Sequence, residues 1–481
     1  MNYPFRHTPY DHQLTALEKG WKKREFAYLM EMGTGKTKVT IDNAAMLYDA
    51  GKIATCVVIA PKGVYRNWPD IEIPEHMPLH LRPGRQAIWN TSLTKKKKAE
   101  INALFEPHSE FSWFFINIDA VNTKKGYTIL EKLLTSRECM LVIDESTIIK
   151  NPSAKRTKAV LKLGKLARYR RVLTGSPVTK SPLDIYSQSE FLNPALLGFS
   201  SYFSFRRRYA VLQRRDFGGR AFDQVTGYQN VEELKDILAE FSYRVTKDEC
   251  LDLPEKIYMP PREVELTKEQ KEAYDDMRRM SMALFDGGEE EATAVNVITQ
   301  LLRLHQIACG HLPLDTGEVK VFPNNRIKVL GEVLEELSGK AIIWANYRHD
   351  IGLIKEFLTK EYGEESFVTY YGDTTDDERQ YAKEAFQDKN SPVRFFVGNT
   401  QTGGYGITLT EANTVIYYSN NYDLEKRLQS EDRAHRIGQH HPVTYIDLVC
   451  RGTVDEKIIT ALRTKNNIAR LVTGDKWREW I

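Results

Sequence analysis

Phe26-Ala27-Tyr28-Leu29-Met30-Glu31-Met32-Gly33-Thr34-Gly35-Lys36-Thr37 is the stretch on which the rest of the chain turns. Five apolar residues run into a glycine-spaced loop, and a helical pattern follows over Lys38–Ala50. A strand, a tight turn and a helix start present backbone N–H groups and the positive end of a helix dipole to a phosphate. The full phosphate-loop pattern has a glycine five residues before Gly35. Met30 stands there, so the pattern is short by one residue. Taken alone, the loop is also compatible with a chance glycine turn. In its strand–helix context it makes Gly33, Thr34 and Gly35 a backbone cradle. Lys36 is then set for the β- and γ-phosphates of a nucleotide and Thr37 for Mg2+.

Two distant segments extend that site. Asp144-Glu145 follows the apolar strand Met140–Ile143. Acids at the carboxyl end of a buried strand face the ligand crevice of an α/β sheet. Asp144 is a candidate for Mg2+, through water, and Glu145 for polarising an attacking water. A helix N-cap pair is the simpler alternative. Gln429-Ser430-Glu431-Asp432-Arg433-Ala434-His435-Arg436-Ile437-Gly438-Gln439 lies almost 400 residues beyond the lysine loop. Arg433 and Arg436 are three apart, so on a helix they share a face. Their functional reading is a pair of arginine fingers on the transferred phosphoryl group. Groups so far apart in sequence would require two lobes to close on one nucleotide.

Composition sets the frame. At 481 residues, two or three domains are expected. Hydrophobic content of 41% and charged content of 28% are those of a soluble globular chain. The net charge is +3, so any basic surface must be local. Five scattered cysteines with no Cys-x-x-Cys pair argue against a disulfide framework. The start lacks a signal-type apolar stretch, and no run approaches a membrane span.

Strands are expected at 26–30, 55–60, 113–118, 140–143 and 171–173. A second set is expected at 341–344, 367–371, 394–397, 414–418 and 444–448. With helices between them, such as 375–387, the chain reads as α/β: two tandem lobes, each a mostly parallel sheet flanked by helices. The lobes are expected at 1–255 and 256–481, with the boundary in the irregular stretch Leu253–Pro261. Helices at 268–282 and 292–307 form a small insertion around 265–310, with an exposed turn at Gly287–Glu291 between them. Lys95–Lys98 reads as a solvated loop or helix end, with a phosphate contact as the lesser reading.

With these residues assembled, the chain resembles the Swi/Snf-type branch of superfamily two helicases, the ATP-driven DNA translocases. Tyr10-Asp11-His12-Gln13 is similar to the adenine-reading glutamine motif of that family, and Glu31–Thr37 to its motif I. Ala60–Gly63 through Trp68 is similar to motif Ia, Asp144–Ser146 through Asn151 to motif II, and Leu173–Pro177 to motif III. Tyr243–Asp248 with Leu253–Lys256 resembles the bridging segment. Gly403–Leu409 resembles motif V, and Asp432–Gln439 resembles motif VI almost letter for letter.

The resemblance implies two RecA-like lobes, an ATP and Mg2+ requirement, and a duplex-DNA partner held by backbone contacts. It adds Gln13, Gly404, Gly406 and Gln429 to the nucleotide contacts. It nominates Lys62, Asn67, Lys150, Arg348, Thr400, Thr402 and Gly403 for the DNA backbone. A strand-separating or annealing helicase, and an RNA-directed helicase, are the alternatives. No wedge or pin element for strand separation is evident in so short a chain. A monomeric motor in a bacterial or phage-infected cytoplasm is the implied setting.

Departures are visible. Ser146-Thr147 stands where many members have Ala/Gly-His, and Tyr422 replaces a usual tryptophan. His305, Cys309 and His311 suggest metal ligands, but a fourth at suitable spacing is missing and zinc is discounted. Trp68 is expected to pack in the first lobe.

Overall fold

The computed structural model describes residues 3–62, 64–81, 84–90, 94–178, 181–217, 220–286, 294–314, 316–403 and 407–464. The expected nucleotide contacts Gly404 and Gly406, and the turn at Gly287–Glu291, lie outside them. Two compact units form, Met1–Asp252 and Leu253–Ile481.

The first unit is built on β1 (Glu25–Met30), β2 (Thr55–Ala60), β3 (Arg85–Ile88), β4 (Ser112–Asn117), β5 (Cys139–Asp144), β6 (Tyr169–Leu173) and β9 (Ser242–Val245). They form one sheet, ordered β3-β4-β2-β5-β6-β1-β9. Every pairing in it is parallel. The central strands β2 and β5 are buried along their whole length, as unbroken apolar runs covered on both faces must be.

The sheet is two strands wider than expected. Its outer members β3 and β9 read Arg-Gln-Ala-Ile and Ser-Tyr-Arg-Val and are only partly buried. Edge positions tolerate polar residues, which hides them from an apolar-run search. Between the helix Tyr202–Tyr209 and the helix Val231–Phe241 stands a hairpin, β7 (Ala210–Phe217) with β8 (Arg220–Tyr228). This hairpin was not expected from the sequence. Gly218-Gly219, which falls between the two strands in sequence, is a two-residue hairpin signal that went unread.

The second unit holds β10 (Lys256–Tyr258), β11 (Arg262–Val264), β14 (Lys340–Trp344), β15 (Phe367–Tyr370), β16 (Phe395–Gly398), β17 (Ala412–Tyr417) and β18 (Val443–Cys450). Its sheet runs β10-β18-β17-β14-β16-β15, with β11 also on β18. All these pairings are parallel. The stretch expected to be irregular therefore carries an edge strand. Pro260-Pro261, which lack N–H donors, fall in the gap between β10 and β11. A small antiparallel pair, β12 (His311–Pro313) and β13 (Val319–Val321), stands apart from this sheet. Helices Lys268–Asp286 and Ala294–Ala308 share a core with the last described helix: Tyr274, Val297, Leu301 and Leu304 pack with Val454, Ile458 and Leu462.

One buried polar hub organises the first unit. Arg171 is fully buried. Its guanidinium donates to Asn43 Oδ1 (2.9 Å) and to the carbonyls of Gly20 (3.1 Å), Lys23 (2.8 Å), Arg24 (3.1 Å) and Arg170 (2.8 Å). It thereby takes up carbonyls at the C-terminal end of the helix Asp11–Gly20, where intrahelical donors run out. All five cysteines are free thiols. Among the described residues no helix is long and apolar enough to cross a membrane.

Candidate nucleotide site and nucleic-acid-facing residues

The loop after β1 turns on Gly33 (φ 82°) and Gly35 (φ 86°), both in the left-handed region that favours glycine. A Cβ at Gly35 would lie 2.2 Å from the Gln13 amide nitrogen. Gln13 donates through Nε2 to the Thr34 carbonyl (3.1 Å) and accepts at Oε1 from the Tyr10 N–H (3.1 Å). The His12 ring Nε2 meets the same Thr34 carbonyl at 2.8 Å. The expected adenine reader thus also props the phosphate loop. Helix Lys36–Asp49 starts at Gly35 with no side-chain cap, which leaves its first N–H groups for an anion. Lys36 is buried, Thr37 half-buried, and Lys36 Nζ lies 3.9 Å from Glu145 Oε1.

Asp144 closes β5 and is buried. Its Oδ2 accepts from Trp68 Nε1 (3.0 Å) and its Oδ1 from the Glu145 N–H (2.9 Å). Burial, then the neighbouring Glu145 carboxylate, push Asp144 up to about 6, against the pull of Lys36 and the Trp68 donor. Glu145 adopts φ 50°, a left-handed conformation costing a non-glycine residue on the order of 1–3 kcal/mol. Such strain concentrates at sites where a side chain must be aimed. Trp68 packs as expected, fully buried, and it also holds Asp144, a role the sequence reading missed.

Two further supports were not anticipated. Ser146 Oγ donates to Gln188 Oε1 (2.6 Å), and Gln188 Nε2 donates to the carbonyls of Pro177 (2.9 Å) and Asp184 (2.9 Å). Gln188 therefore ties the loop after β5 to the loop after β6. Its signal was available: Ser187-Gln188-Ser189 is a polar triplet buried in a short helix. Gly175, in the loop after β6, lies against the loop after β1, since a Cβ there would sit 2.9 Å from the Met32 nitrogen. Thr147, at the position where a histidine is usual, is buried. Of the candidate backbone binders in this unit, Lys62 is exposed, and Asn67 and Lys150 are half-buried.

In the second unit, Arg433 and Arg436 do not share a helix face, which corrects the expectation. Helix Leu424–Glu431 ends before them. The N–H groups of Arg433 and Ala434 reach back only three residues, to Ser430 and Glu431 (3.3 Å each). The Gln429 carbonyl that the next turn would have used accepts instead from Arg433 Nε (2.9 Å). The two arginines meet by another route: Arg433 Nη1 and Arg436 Nη1 both approach the Ile407 carbonyl, at 3.1 and 3.5 Å. Arg433 is buried and Arg436 half-buried.

Gln429 is buried, donates to Glu425 Oε1 (3.1 Å), and has no hydrogen-bond partner at its Oε1. Arg427 braces the segment from below, donating to Asp447 Oδ1 (2.5 Å) and Glu431 Oε1 (2.9 Å). Lys256 Nζ lies 3.3 Å from both Glu431 and Asp432.

The remaining candidates sit at the carboxyl ends of this sheet. Arg348 is exposed and pairs with Asp373 at 3.0 Å. Thr400 is buried with a hydroxyl that has no partner among the described residues, Thr402 is half-buried, and Gly403 lies on the Trp344 ring, which a Cβ there would approach to 2.5 Å. Asn346 knits the strand ends. Its carbonyl accepts from Asn399 (2.7 Å), its N–H donates to Ser419 (2.8 Å), and its Oδ1 accepts from Asn421 (3.1 Å). His305 is engaged in protein contacts, with Nδ1 2.7 Å from the Tyr347 hydroxyl and Nε2 3.4 Å from Asp455. Among the described residues no His/Cys/Asp/Glu cluster could hold a metal by itself.

Two matched domains give these features a class. The SNF2-related domain matches residues 28–312, and the helicase conserved C-terminal domain matches residues 325–438. They define a helicase-type ATPase. The chain belongs to the SNF2-related family of superfamily two.

It is 27% identical over 474 residues to the putative ATP-dependent helicase/translocase YwqA of Bacillus subtilis, covering 93% of this chain and 46% of that protein. It is 28% identical over 353 residues to the DNA annealing helicase and endonuclease ZRANB3 of Mus musculus, covering 72% and 31%. Among solved structures, the SWI2/SNF2 ATPase core of Sulfolobus solfataricus in complex with dsDNA is 26% identical, with 99% and 96% of the chains covered and a TM-score of 0.44. The chain spans less than half the length of these curated relatives.

Proposed function

We propose that this chain is an ATP-driven translocase on duplex DNA that remodels DNA structure or strips bound protein. The carrying observation is the approach of Lys36 to Glu145 (3.9 Å) beside a left-handed glycine loop. That cradle, with Asp144 next to it, suits a magnesium–triphosphate. In this reading the Gly33–Lys36 backbone and Lys36 bind the β- and γ-phosphates. Thr37 and Asp144 hold Mg2+, which supplies charge neutralisation between the phosphates when bound.

Glu145 orients the attacking water and accepts its proton. Gln13, Gly404, Gly406 and Gln429 complete the nucleotide contacts. Closure of the two units brings Arg433 and Arg436 onto the transferred phosphoryl group. Lys62, Asn67, Lys150, Arg348, Thr400, Thr402 and Gly403 grip the DNA backbone without reading sequence. DNA then stimulates turnover by favouring the closed state, as linkage requires.

The test is ATP turnover against a panel of duplex, single strand, fork and RNA. Duplex DNA is expected to stimulate most, with displacement of a third strand from a triplex. Normal turnover by Lys36→Ala would refute the mechanism. A second reading, strand separation or annealing, is favoured by the likeness to a relative named as an annealing helicase. Unwinding of a forked duplex without triplex displacement would select it.

A further inference from the structure

We propose that the helix Tyr202–Tyr209 and the β7–β8 ribbon form an arm that seats in a groove of duplex nucleic acid, with arginines on both walls. This rests on the duplex-DNA reading and adds a contact made by none of the motif-bearing loops.

Charge is the first support. Residues 202–228 hold six arginines, no lysine and two aspartates, a net of +4, whereas the entire chain has +3. The segment is one of several basic stretches of the chain, and its cations are all arginine. Arginine suits the task because its planar fork binds phosphate in a bidentate way.

Geometry is the second. β7 and β8 pair with each other and, among the described residues, with no other strand. The ribbon is anchored at its base, where the directly opposed Leu212 and Val225 pack on the first unit's core with Phe205, Tyr209 and Ala210. Arg206 fixes helix to ribbon by donating to the Asp223 carbonyl (2.6 Å), and Arg208 pairs with Glu233. Beyond that base, Gln213, Arg214, Arg215, Asp223 and Gln224 are exposed. Neighbouring residues of a strand face opposite sides, so Arg214 and Arg215 lie one on each face.

Among the described residues no acidic side chain pairs with Arg207, Arg214 or Arg215. An acidic protein surface would engage one face only. A channel walled by phosphates engages both, and the major groove, about 12 Å wide, admits a two-stranded ribbon. Phe203, 72% exposed and one helical turn before Arg207, adds an apolar ring beside that charge.

The experiment uses the full chain in two forms, Arg207→Gln/Arg214→Gln/Arg215→Gln and Gln213→Lys/Gln224→Lys. Affinity for a blunt duplex and for a single strand of equal length is measured across a salt series. The triple variant is expected to flatten the duplex log–log salt slope by about 2–3, at roughly 0.9 per phosphate contact, and to weaken duplex binding about tenfold or more at low salt. Single-strand binding should change far less. The lysine variant should steepen the duplex slope by about 2, a gain that misfolding cannot imitate.

Unchanged slopes in both variants, or equal losses on duplex and single strand, overturn the arm and leave the motor reading standing. Loss of an acidic protein partner with unchanged slopes overturns it too. A parent chain that neither binds duplex nor is stimulated by it brings down the motor reading itself, and the arm with it.

Discussion

The two units hold the groups proposed to meet phosphate in opposite ways. In the first, Lys36, Asp144 and Glu145 are brought together by the ends of β1 and β5 and by a buried tryptophan, and the lysine meets only a carboxylate. In the second, the arginines are already hydrogen-bonded to carbonyls of their own unit, at Gln429 and Ile407. One half is a preassembled cradle whose strain is local, at Glu145. The other is a pair of cations held on protein acceptors, from which the proposed phosphate contact would have to draw them.

The comparison is broken most directly by removing one cation from each side. Lys36→Ala and Arg433→Ala are both expected to lower ATP turnover by about 10³-fold or more, the scale on which charge stabilisation of a transferred phosphoryl group operates. Their stabilities should diverge. Arg433→Ala leaves two buried carbonyls without a charged donor and should cost about 1–3 kcal/mol in unfolding, while Lys36→Ala should cost little. Equal destabilisation in calorimetry would mean that the arginine is not held as described.

Next in size is the brace between loops. Gln188→Leu is expected to reduce DNA-stimulated turnover roughly tenfold while nucleotide binding changes less than twofold, because it cuts the link from Ser146 to Pro177 without touching the phosphate loop. Parallel loss of nucleotide affinity would show that the glutamine merely supports the fold.

Trp68→Phe sharpens the account of the acid. The indole donor lowers the Asp144 pKa, so its loss must raise it. In the proposed site, the Asp144 carboxylate that would hold Mg2+ is lost as pH falls through about 6 in the parent. The acid limb of kcat/KM should therefore move to higher pH in the variant, and a downward move would reject the assignment.

Smallest is Asp350→Asn in the second unit. Burial pushes Asp350 up to about 7, and the neighbouring His311, 3.6 Å away, is pulled down to about 3. A buried acid with a raised pKa favours the neutral form when folded. It therefore costs stability as pH rises through the ordinary carboxylate range towards 7, and that cost persists above. Asparagine should raise Tm by about 2–4 °C at pH 8 and by less at pH 5. The reverse order would break the assignment.

What was legible in the sequence divides along physical lines. Runs such as Cys56-Val57-Val58-Ile59 announce buried parallel strands, and the loop at Gly33–Thr37 announces its own chemistry, because both depend on neighbours in sequence. β3 and β9 stayed hidden because edge strands need no apolar run. The placement of Arg433 was misread because it depends on the carbonyl of Ile407, 26 residues away, which no periodicity reveals. Gly218-Gly219 could have announced the hairpin, since a two-residue glycine loop between strand-length segments is a turn signal.

Arg171 carries a final consequence. It is a cation with no carboxylate among its hydrogen-bond partners, satisfied by one amide oxygen and five peptide oxygens. It sits in β6, two residues before the loop that carries Gly175, and clasps the end of the helix that bears Gln13. The helix that bears Gln13 and the loop that carries Gly175 are thus cantilevered from a single planar group. Lysine, a rounder ion with three donors, would loosen both at once while preserving the charge.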